Sequence, residues 1–400
     1  MLRALSFVLS ALFLTFDRFV LTFAIILILG ILLAAYVLLM LLYRSGWKRQ
    51  SLFELPLNFS PETFISIIIP ARNEARNIGA CIDSILAQDY PPALFEVIVV
   101  DDHSMDNTAA IVNAYARSNI KCIALADYLP KGQSVNAYKK KALAAGISVS
   151  SGALIVTTDA DCTAASQWLR YLAALYEAVQ PVMIVAPVDF ANDHSVLQLF
   201  QSLDFMSMQG ITVASNKLKL GNMCNGANLA FTRAAFDSVN GYEGTEHLAS
   251  GDDYLLMMKM QAQFPAKIAT LKAPQAIIRT APQTSWDGFL QQRIRWASKS
   301  GKYNDKRLTF VLAMVYLLNV SMLILLFFCY NKLWLTVLLA MYFIKTIVEI
   351  YYLVPVSRFF MKTRQLVIFP LLQPLHVLYI SLAGFLGMVG VYKWKGRKLK

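Results

Sequence analysis

Two aspartates, Asp159 and Asp161, stand one residue apart at the end of the apolar, β-branched run 153–158, "ALIVTT". Nothing basic flanks them in the sequence. Residues i and i+2 at a strand end can point the same way, so two carboxylates converge and repel unless a cation lies between them. Oxygen ligands with few protein donors suit Mg²⁺ or Mn²⁺ completed by substrate phosphates. Asp is also an ordinary turn former, and the pair alone leaves that reading open. A second acidic pair, Asp101 and Asp102, closes the run 95–100, and a third, Asp252 and Asp253, opens the stretch "DDYLLMMKM". By itself the third pair reads as favourable charge at a helix N-terminus.

The elements that must hold these acids follow from periodicity. Residues 64–69 form a β-branched run of strand length, and Pro70 stops it. Ile78, Ile82 and Ile85 recur at helical spacing within 75–87. The pattern repeats: strand 95–100, helix 108–115, strand 121–126, helix 137–145, strand 153–158. Strands apolar on both faces with helices between imply a largely parallel sheet covered by helices. Such sheets bind ligands at the carboxyl ends of their strands, which is where the first two acidic pairs fall.

Composition divides the chain. Its 400 residues are 57% hydrophobic and 16% charged, against about 25% charged for a soluble domain. Residues 19–43 are uncharged and long enough to cross a bilayer, and Arg44, Lys48 and Arg49 follow. Basic residues beside a span stay in the cytoplasm, so the polar middle of the chain is expected there. The piece before it, "ALSFVLSALFLTF", is too short to span and reads as an interfacial lead-in to an uncleaved anchor. Residues 308–330 and 333–356 are two further spans, and Lys345 and Glu349 in the second can pair at i, i+4. Residues 366–392 hold Pro370 and Pro374, which are expected to split the segment. A simple crossing there would put the tail "KWKGRKLK" outside, against the positive-inside rule, so the tail is expected in the cytoplasm.

Other classes fall away. Five cysteines without a C-x-x-C pair, and four histidines without an i, i+4 pair, suit neither a disulfide framework nor a zinc site. The net charge of +12 sits beside the membrane segments, which fits lipid headgroups. No basic and aromatic stripe for nucleic acid is visible, and no nucleic-acid partner is expected.

The ordered set "PARNE", "VVDDHS", "TTDADC", "NGANLAF", "SGDDYLL" and "QRIRW" resembles family-2 glycosyltransferases of the GT-A fold. It is most similar to the membrane-anchored branch of cellulose, chitin, hyaluronan and poly-N-acetylglucosamine synthases and ceramide glucosyltransferase. The resemblance implies an α/β GT-A cytoplasmic domain with a mostly parallel sheet, plus transmembrane helices at both ends. It implies transfer from a UDP-sugar, with inversion, to a polysaccharide or lipid acceptor. A membrane-bound but catalytically silent partner of an assembly complex is the alternative; the complete set of acids speaks against it.

Roles carry over residue by residue. Glu74, Asp101 and Asp102 match the nucleotide-holding acids. Lys139 in "YKKKAL" matches a diphosphate-contacting lysine, although Tyr138 stands where the family has glycine. Asp159 and Asp161 match the metal-binding D-x-D. Asp253 matches the base, with Asp252 beside it and expected to raise its pKa. Asn225 lies in the loop under the acceptor site. Gln292, Arg295 and Trp296 form Q-x-x-R-W and share one face of a helix. The resemblance gives Arg295 to the diphosphate, and Gln292 and Trp296 to the acceptor. On the other face Trp286, Phe289, Leu290 and Ile294 suggest an amphipathic helix lying on the membrane. The expected organisation is therefore an anchor over 1–50, a GT-A domain over 60–285, an interfacial helix over 286–306, membrane segments over 307–392 and a basic tail over 393–400.

Overall fold

The computed structural model describes residues 2–129, 137–191, 194–246, 248, 251–298, 305–389, 392–394 and 397–399. Residues 299–304 of the segment assigned to the interfacial helix, and the side chains of the basic tail, lie outside the described residues.

The chain begins with α1 (Leu2–Arg49), so the short apolar lead-in continues without a break into the first span. Next come β1 (Ile65–Ala71), α2 (Ile78–Leu86), β2 (Phe95–Asp101), α3 (Thr108–Asn113), β3 (Ile120–Ala124) and α4 (Tyr138–Ser148). Then follow β4 (Leu154–Thr157), β5 (Cys162–Ala164), α5 (Trp168–Val179), β6 (Met183–Val185), β7 (Val188–Phe190) and α6 (Val196–Leu218). The soluble part closes with β8 (Leu229–Thr232), α7 (Arg233–Ser238), α8 (Asp252–Gln263), β9 (Ile268–Thr270), β10 (Ile278–Thr280) and α9 (Trp286–Ala297). Last are α10 (Lys306–Leu326), α11 (Lys332–Phe359), α12 (Phe369–Val389), β11 (Tyr392–Trp394) and β12 (Arg397–Leu399).

Seven strands form one sheet in the order β3-β2-β1-β4-β8-β6-β9. β3, β2, β1 and β4 run parallel, and β8 is antiparallel to both its neighbours. The alternation of side chains splits β1 between two cores. Ile65, Ile67 and Ile69 join α2 and α5 on one face, and Ile68 joins α4 and α8 on the other. β1 lies between β2 and β4, whose connections leave it in opposite directions. That is the topological switch point, where a crevice opens beyond the strand ends. A smaller sheet, β5-β10-β7, follows Asp161 directly.

Four helical stretches, Phe19–Arg49, Lys306–Leu326, Lys332–Phe359 and Phe369–Met388, are long and apolar enough to cross a membrane. α12 does not break at its prolines. Pro370 lies in the first helical turn, where a missing N–H costs nothing. Pro374 leaves the Pro370 carbonyl without its helical donor, and the Tyr342 hydroxyl from α11 donates to that oxygen instead. Pro355 inside α11 has the same problem at Tyr351. There Arg44 of α1 donates to the freed carbonyl and lies over the Tyr351 ring at 3.8 Å. Pro355 and Pro374 are thus tolerated because a neighbouring helix replaces the lost hydrogen bond.

Lys345 and Glu349 pair as their spacing suggests, at 2.7 Å and both buried. Tyr36 of α1 and Gln373 of α12 also donate to Glu349, so this carboxylate ties three helices together. Removing one partner of a buried pair costs about 3–5 kcal/mol, far more than the pair contributes. Lys345→Met is therefore expected to lower the thermal unfolding temperature in detergent. Lys345→Met/Glu349→Gln, which removes both charges, should recover most of the loss in the same measurement.

Candidate active site

The crevice is built from strand ends. β2 delivers Asp101 and Asp102. The Asp101 Oδ2 accepts from the Ser104 N–H at 3.2 Å, while its buried Oδ1 has no hydrogen-bond partner among the described residues. Asp102 is buried, 3.0 Å from His103 Nδ1, and Arg72 donates to its carbonyl at 2.8 Å. His103 sits in the left-handed region with φ 54°, which turns the chain sharply after β2. Glu74, beyond β1, is buried and accepts from Asn77 Nδ2 at 2.8 Å. Its own N–H donates to Thr108 Oγ1, which ties the β1 and β2 turns together.

β4 delivers Asp159 and Asp161 onto a floor of two buried thiols. Cys81 Sγ lies 3.8 Å from the Asp159 carbonyl, and Cys162 Sγ lies 3.8 Å from Asp161 Oδ1. Burial first, and then the two nearby carboxylates, push both thiols up. Cysteine is inert there and serves as a small packing residue.

The charge balance at Asp159 comes from α4. Lys139 Nζ lies 2.6 Å from Asp159 Oδ1 and 3.5 Å from Asp252 Oδ2. Burial opposes its charge, but Asp159 and Asp252 outweigh this and raise its pKa. Asp252 is thus compensated by Lys139, which bears on the expectation that it acts on Asp253 as a bare like charge. No group of three or more His, Cys, Asp or Glu is gathered for a metal among the described residues. Two carboxylates and an ammonium at one strand end nonetheless show a position that demands positive charge and that phosphate oxygens could complete.

Asp253 enters from the first turn of α8. Gly251, at φ 84°, makes the approach to this helix. The Asp253 Oδ2 accepts from the Gly226 N–H at 3.2 Å and Oδ1 from the Tyr254 N–H at 2.8 Å. A Cβ on Gly226 would stand 3.2 Å from Asp252 Oδ2, so a small residue is needed where the acidic pair meets this loop. Thr157 Oγ1 donates to the Gly226 carbonyl at 2.8 Å, which joins the end of β4 to the same loop. Asn225 uses its side-chain carbonyl to accept from the Ala227 N–H at 3.0 Å, shaping the turn. The structure thus gathers Lys139, Asp159, Asp252, Asp253 and the Asn225–Gly226 loop.

α9 departs from its expected setting. Phe289, Arg293 and Ile294 are buried, and Phe289 packs on Phe200 of α6 and Tyr379 of α12. The face assigned to the membrane surface is therefore largely covered by protein helices, with Trp286 left exposed. Trp296 packs on Phe205, whose ring lies tilted against Phe190 of β7 with centroids 4.5 Å apart. Phe190 pairs in register with Thr280, and Thr280 with Cys162, the residue after Asp161. Gln292 accepts from Arg293, and Arg295 is partly buried on the same helix.

Three residues of this region escape a reading of spacing alone. Asn228 is buried, accepts from Trp168 Nε1 at 2.9 Å, and donates to the Pro187 and Ala276 carbonyls at 2.7 and 2.8 Å. Asp204 and Arg293 form a buried ion pair at 2.7 Å. The one sequence signal for Asp204 is that it is the sole acid in the long, mostly apolar α6.

Residues 66–239 match the family described as Glycosyl transferase family 2, and residues 154–384, more than half of the chain, match Glycosyl transferase family group 2. The chain belongs to this glycosyl transferase group. Its fold is GT-A. The mannosyltransferase PcManGT from Pyrobaculum calidifontis superposes with a TM-score of 0.52 at 19% identity, over 90% of this chain and 98% of that one. Among curated relatives, an N-acetylglucosaminyltransferase of Rhizobium meliloti is 28% identical over 67% of this chain and 63% of its own length. Glycosyltransferase AglE of Haloferax volcanii is 28% identical over 48% of this chain and 59% of its own length. A poly-beta-1,6-N-acetyl-D-glucosamine synthase of Staphylococcus epidermidis is 25% identical over 58% of this chain and 53% of its own. The alignments thus span roughly three-fifths of the length of these relatives.

In this family member Asn228 holds α5, β7 and the loop before β10 at the base of the site. Each buried group stranded by its removal costs about 1–3 kcal/mol. Asn228→Ala is expected to lower the unfolding temperature clearly, whereas Asn225→Ala, which loses one turn bond, should lower it less; differential scanning fluorimetry compares the two.

Proposed function

We propose that the protein is an inverting hexosyltransferase of the membrane, moving a sugar from a UDP-sugar to a polysaccharide or lipid acceptor. The observation that carries this reading is the junction of Lys139, Asp159, Asp252 and the Gly226-bonded Asp253 at the switch point of the sheet. The relatives named for N-acetylglucosaminyl transfer and for poly-N-acetylglucosamine synthesis support a sugar-polymer setting. The superposed mannosyltransferase was solved in complex with GDP-Man and Mn²⁺, which supports a nucleotide-sugar with a divalent cation at this fold.

In this mechanism Asp101 and Glu74 accept from the uracil N–H and ribose hydroxyls, and the unpartnered Asp101 Oδ1 suits that task. Asp102 shapes the same turn. Asp159 and Asp161 would hold a Mg²⁺ or Mn²⁺ ion, which would supply Lewis-acid stabilisation of the departing UDP. Lys139, 2.6 Å from Asp159, would contact the diphosphate, and Arg295 of α9 is assigned to it as a second cation. Gln292, Trp296 and Asn225 contact the acceptor. Its hydroxyl oxygen attacks the anomeric carbon from the face opposite UDP. Asp253 takes the hydroxyl proton as the bond to UDP breaks, so one displacement inverts the centre.

The membrane arrangement belongs to the same proposal. The catalytic domain faces the cytoplasm, on the side of Arg44, Lys48 and Arg49. Lys362, just after α11, reaches Asp189 of the catalytic domain at 2.6 Å. α12 then runs beside α9, with Tyr379 on Phe289, a Cβ on Gly387 only 2.8 Å from the Ala297 Cβ, and β11 against the same helix. The C-terminal end of α12 thus stays with an element of the catalytic side, which supports a cytoplasmic tail.

Excess EDTA is expected to abolish UDP release from UDP-sugar in washed membranes, and added Mn²⁺ or Mg²⁺ to restore it. Full turnover in EDTA would exclude the metal role. Asp253→Asn should lower transfer by about 10²–10⁴-fold while UDP still binds, the range for a lost general base. A cysteine placed at Leu399 in a cysteine-free background should resist a membrane-impermeant thiol reagent added outside intact cells.

A further inference from the structure

The Q-x-x-R-W helix holds an arginine that the motif does not count. Arg293 is 3% exposed, in the middle of the motif, and its partner Asp204 comes from α6. Asp204 Oδ2 accepts from Arg293 Nε at 3.0 Å and faces Nη2 at 2.7 Å. Both contacts fall on one oxygen; the Nε bond to Asp204 and the Nη1 bond to Gln292 together restrict the rotation of the planar guanidinium. The other carboxylate oxygen accepts from the Tyr379 hydroxyl of α12, with His376 Nε2 at 3.8 Å. Asp204 is therefore held from the membrane side as well.

The orientation imposed on Arg293 has consequences for two motif residues. Its Nη1 donates to Gln292 Oε1 at 2.8 Å. A guanidinium can only donate, so Gln292 must turn its carbonyl toward Arg293 and its NH₂ the other way. The Arg293 guanidinium also lies 4.3 Å from the Trp296 ring centroid and 4.7 Å from that of Phe289, which supports the indole on one face. A buried ion pair of this kind contributes little net stability compared with apolar residues of the same size. Geometry is what it supplies.

We propose that Asp204 and Arg293 are positioning residues for the acceptor site, setting Gln292 as a hydrogen-bond donor and fixing the Trp296 indole plane. The acceptor group they prepare is a sugar, whose hydroxyl oxygens meet the Gln292 NH₂ and whose flat C–H face meets the indole. The proposal rests on the reading of Gln292 and Trp296 as acceptor contacts.

The test separates positioning from folding. Membranes carrying each variant are supplied with radiolabelled UDP-N-acetylglucosamine and, separately, UDP-glucose, with Mn²⁺. Label entering the lipid or polymer fraction is divided by total UDP released, and UDP affinity is measured on purified protein. Arg293→Lys keeps the charge but loses the planar fork. It is expected to lower the transfer-to-release ratio by about 10²-fold, the loss that ~1 Å of misplacement brings, with UDP affinity unchanged. Asp204→Leu/Arg293→Met removes both charges and should keep the unfolding temperature while the ratio stays low. A wild-type ratio in that stable double variant would overturn the proposal. So would a loss of UDP affinity in Arg293→Lys that matches its loss of transfer, because the pair would then serve the fold or the donor. Gln292→Ala and Trp296→Ala are measured alongside. If these lower the ratio and the pair variants do not, the positioning role alone fails; if these leave it unchanged, the acceptor reading fails with it.

Discussion

A parallel sheet gathers negative charge at one place, and the rest of the site depends on how that charge is balanced. β1, β2 and β4 all end at the switch point, and each is followed by carboxylates. α8 brings two more from the far side of the sheet. Oxygens so placed repel unless positive charge is interleaved. Lys139 supplies one such charge, between Asp159 and Asp252, and backbone N–H groups of Gly226 and Tyr254 supply partial charge at Asp253. A carboxylate-rich crevice with a lysine at its centre is suited to a polyanionic leaving group that carries its own cation.

The membrane layer solves a different problem with comparable means. Apolar surroundings leave no water to satisfy a backbone carbonyl or a charged side chain. The carbonyls freed by Pro355 and Pro374 receive donors from Arg44 and Tyr342. Glu349 receives three donors from three helices. These contacts specify how α1, α11 and α12 meet, which apolar packing alone would specify weakly.

The two layers join at α6 and α9. α6 packs on α1 near Gly46 and on α11 near Tyr352, and it supplies Asp204 to α9. α9 touches α12 along one side and, through Trp296, Phe205 and Phe190, the small sheet that follows the D-x-D. A helix that read as a membrane-surface element is thus sandwiched between protein elements, and its buried Arg293 bonds Gln292 on the polar face.

The strand–helix alternation and the place of each acid at a strand end were legible in the sequence, because both depend on local period and on residues a few positions apart. So were the three clear spans, and the Lys345–Glu349 pair four residues apart on α11. The bounds of α2 were less legible: it starts at Ile78 and not at 75, after a turn in which the Asn77 N–H bonds to the Glu74 carbonyl. What the tertiary structure alone decided involves partners far apart in the chain. Lys139 meets Asp159 and Asp252 only because α4, β4 and α8 share one crevice. Asp204 and Arg293 lie 89 residues apart, and neither side chain shows in its local pattern what it will be buried against. Pro374 reads as a helix breaker by itself and is not one here, because the donor that replaces its N–H comes from α11. Local pattern determines which elements form and which residues crowd their ends; only packing determines which distant group arrives to neutralise, support or complete them.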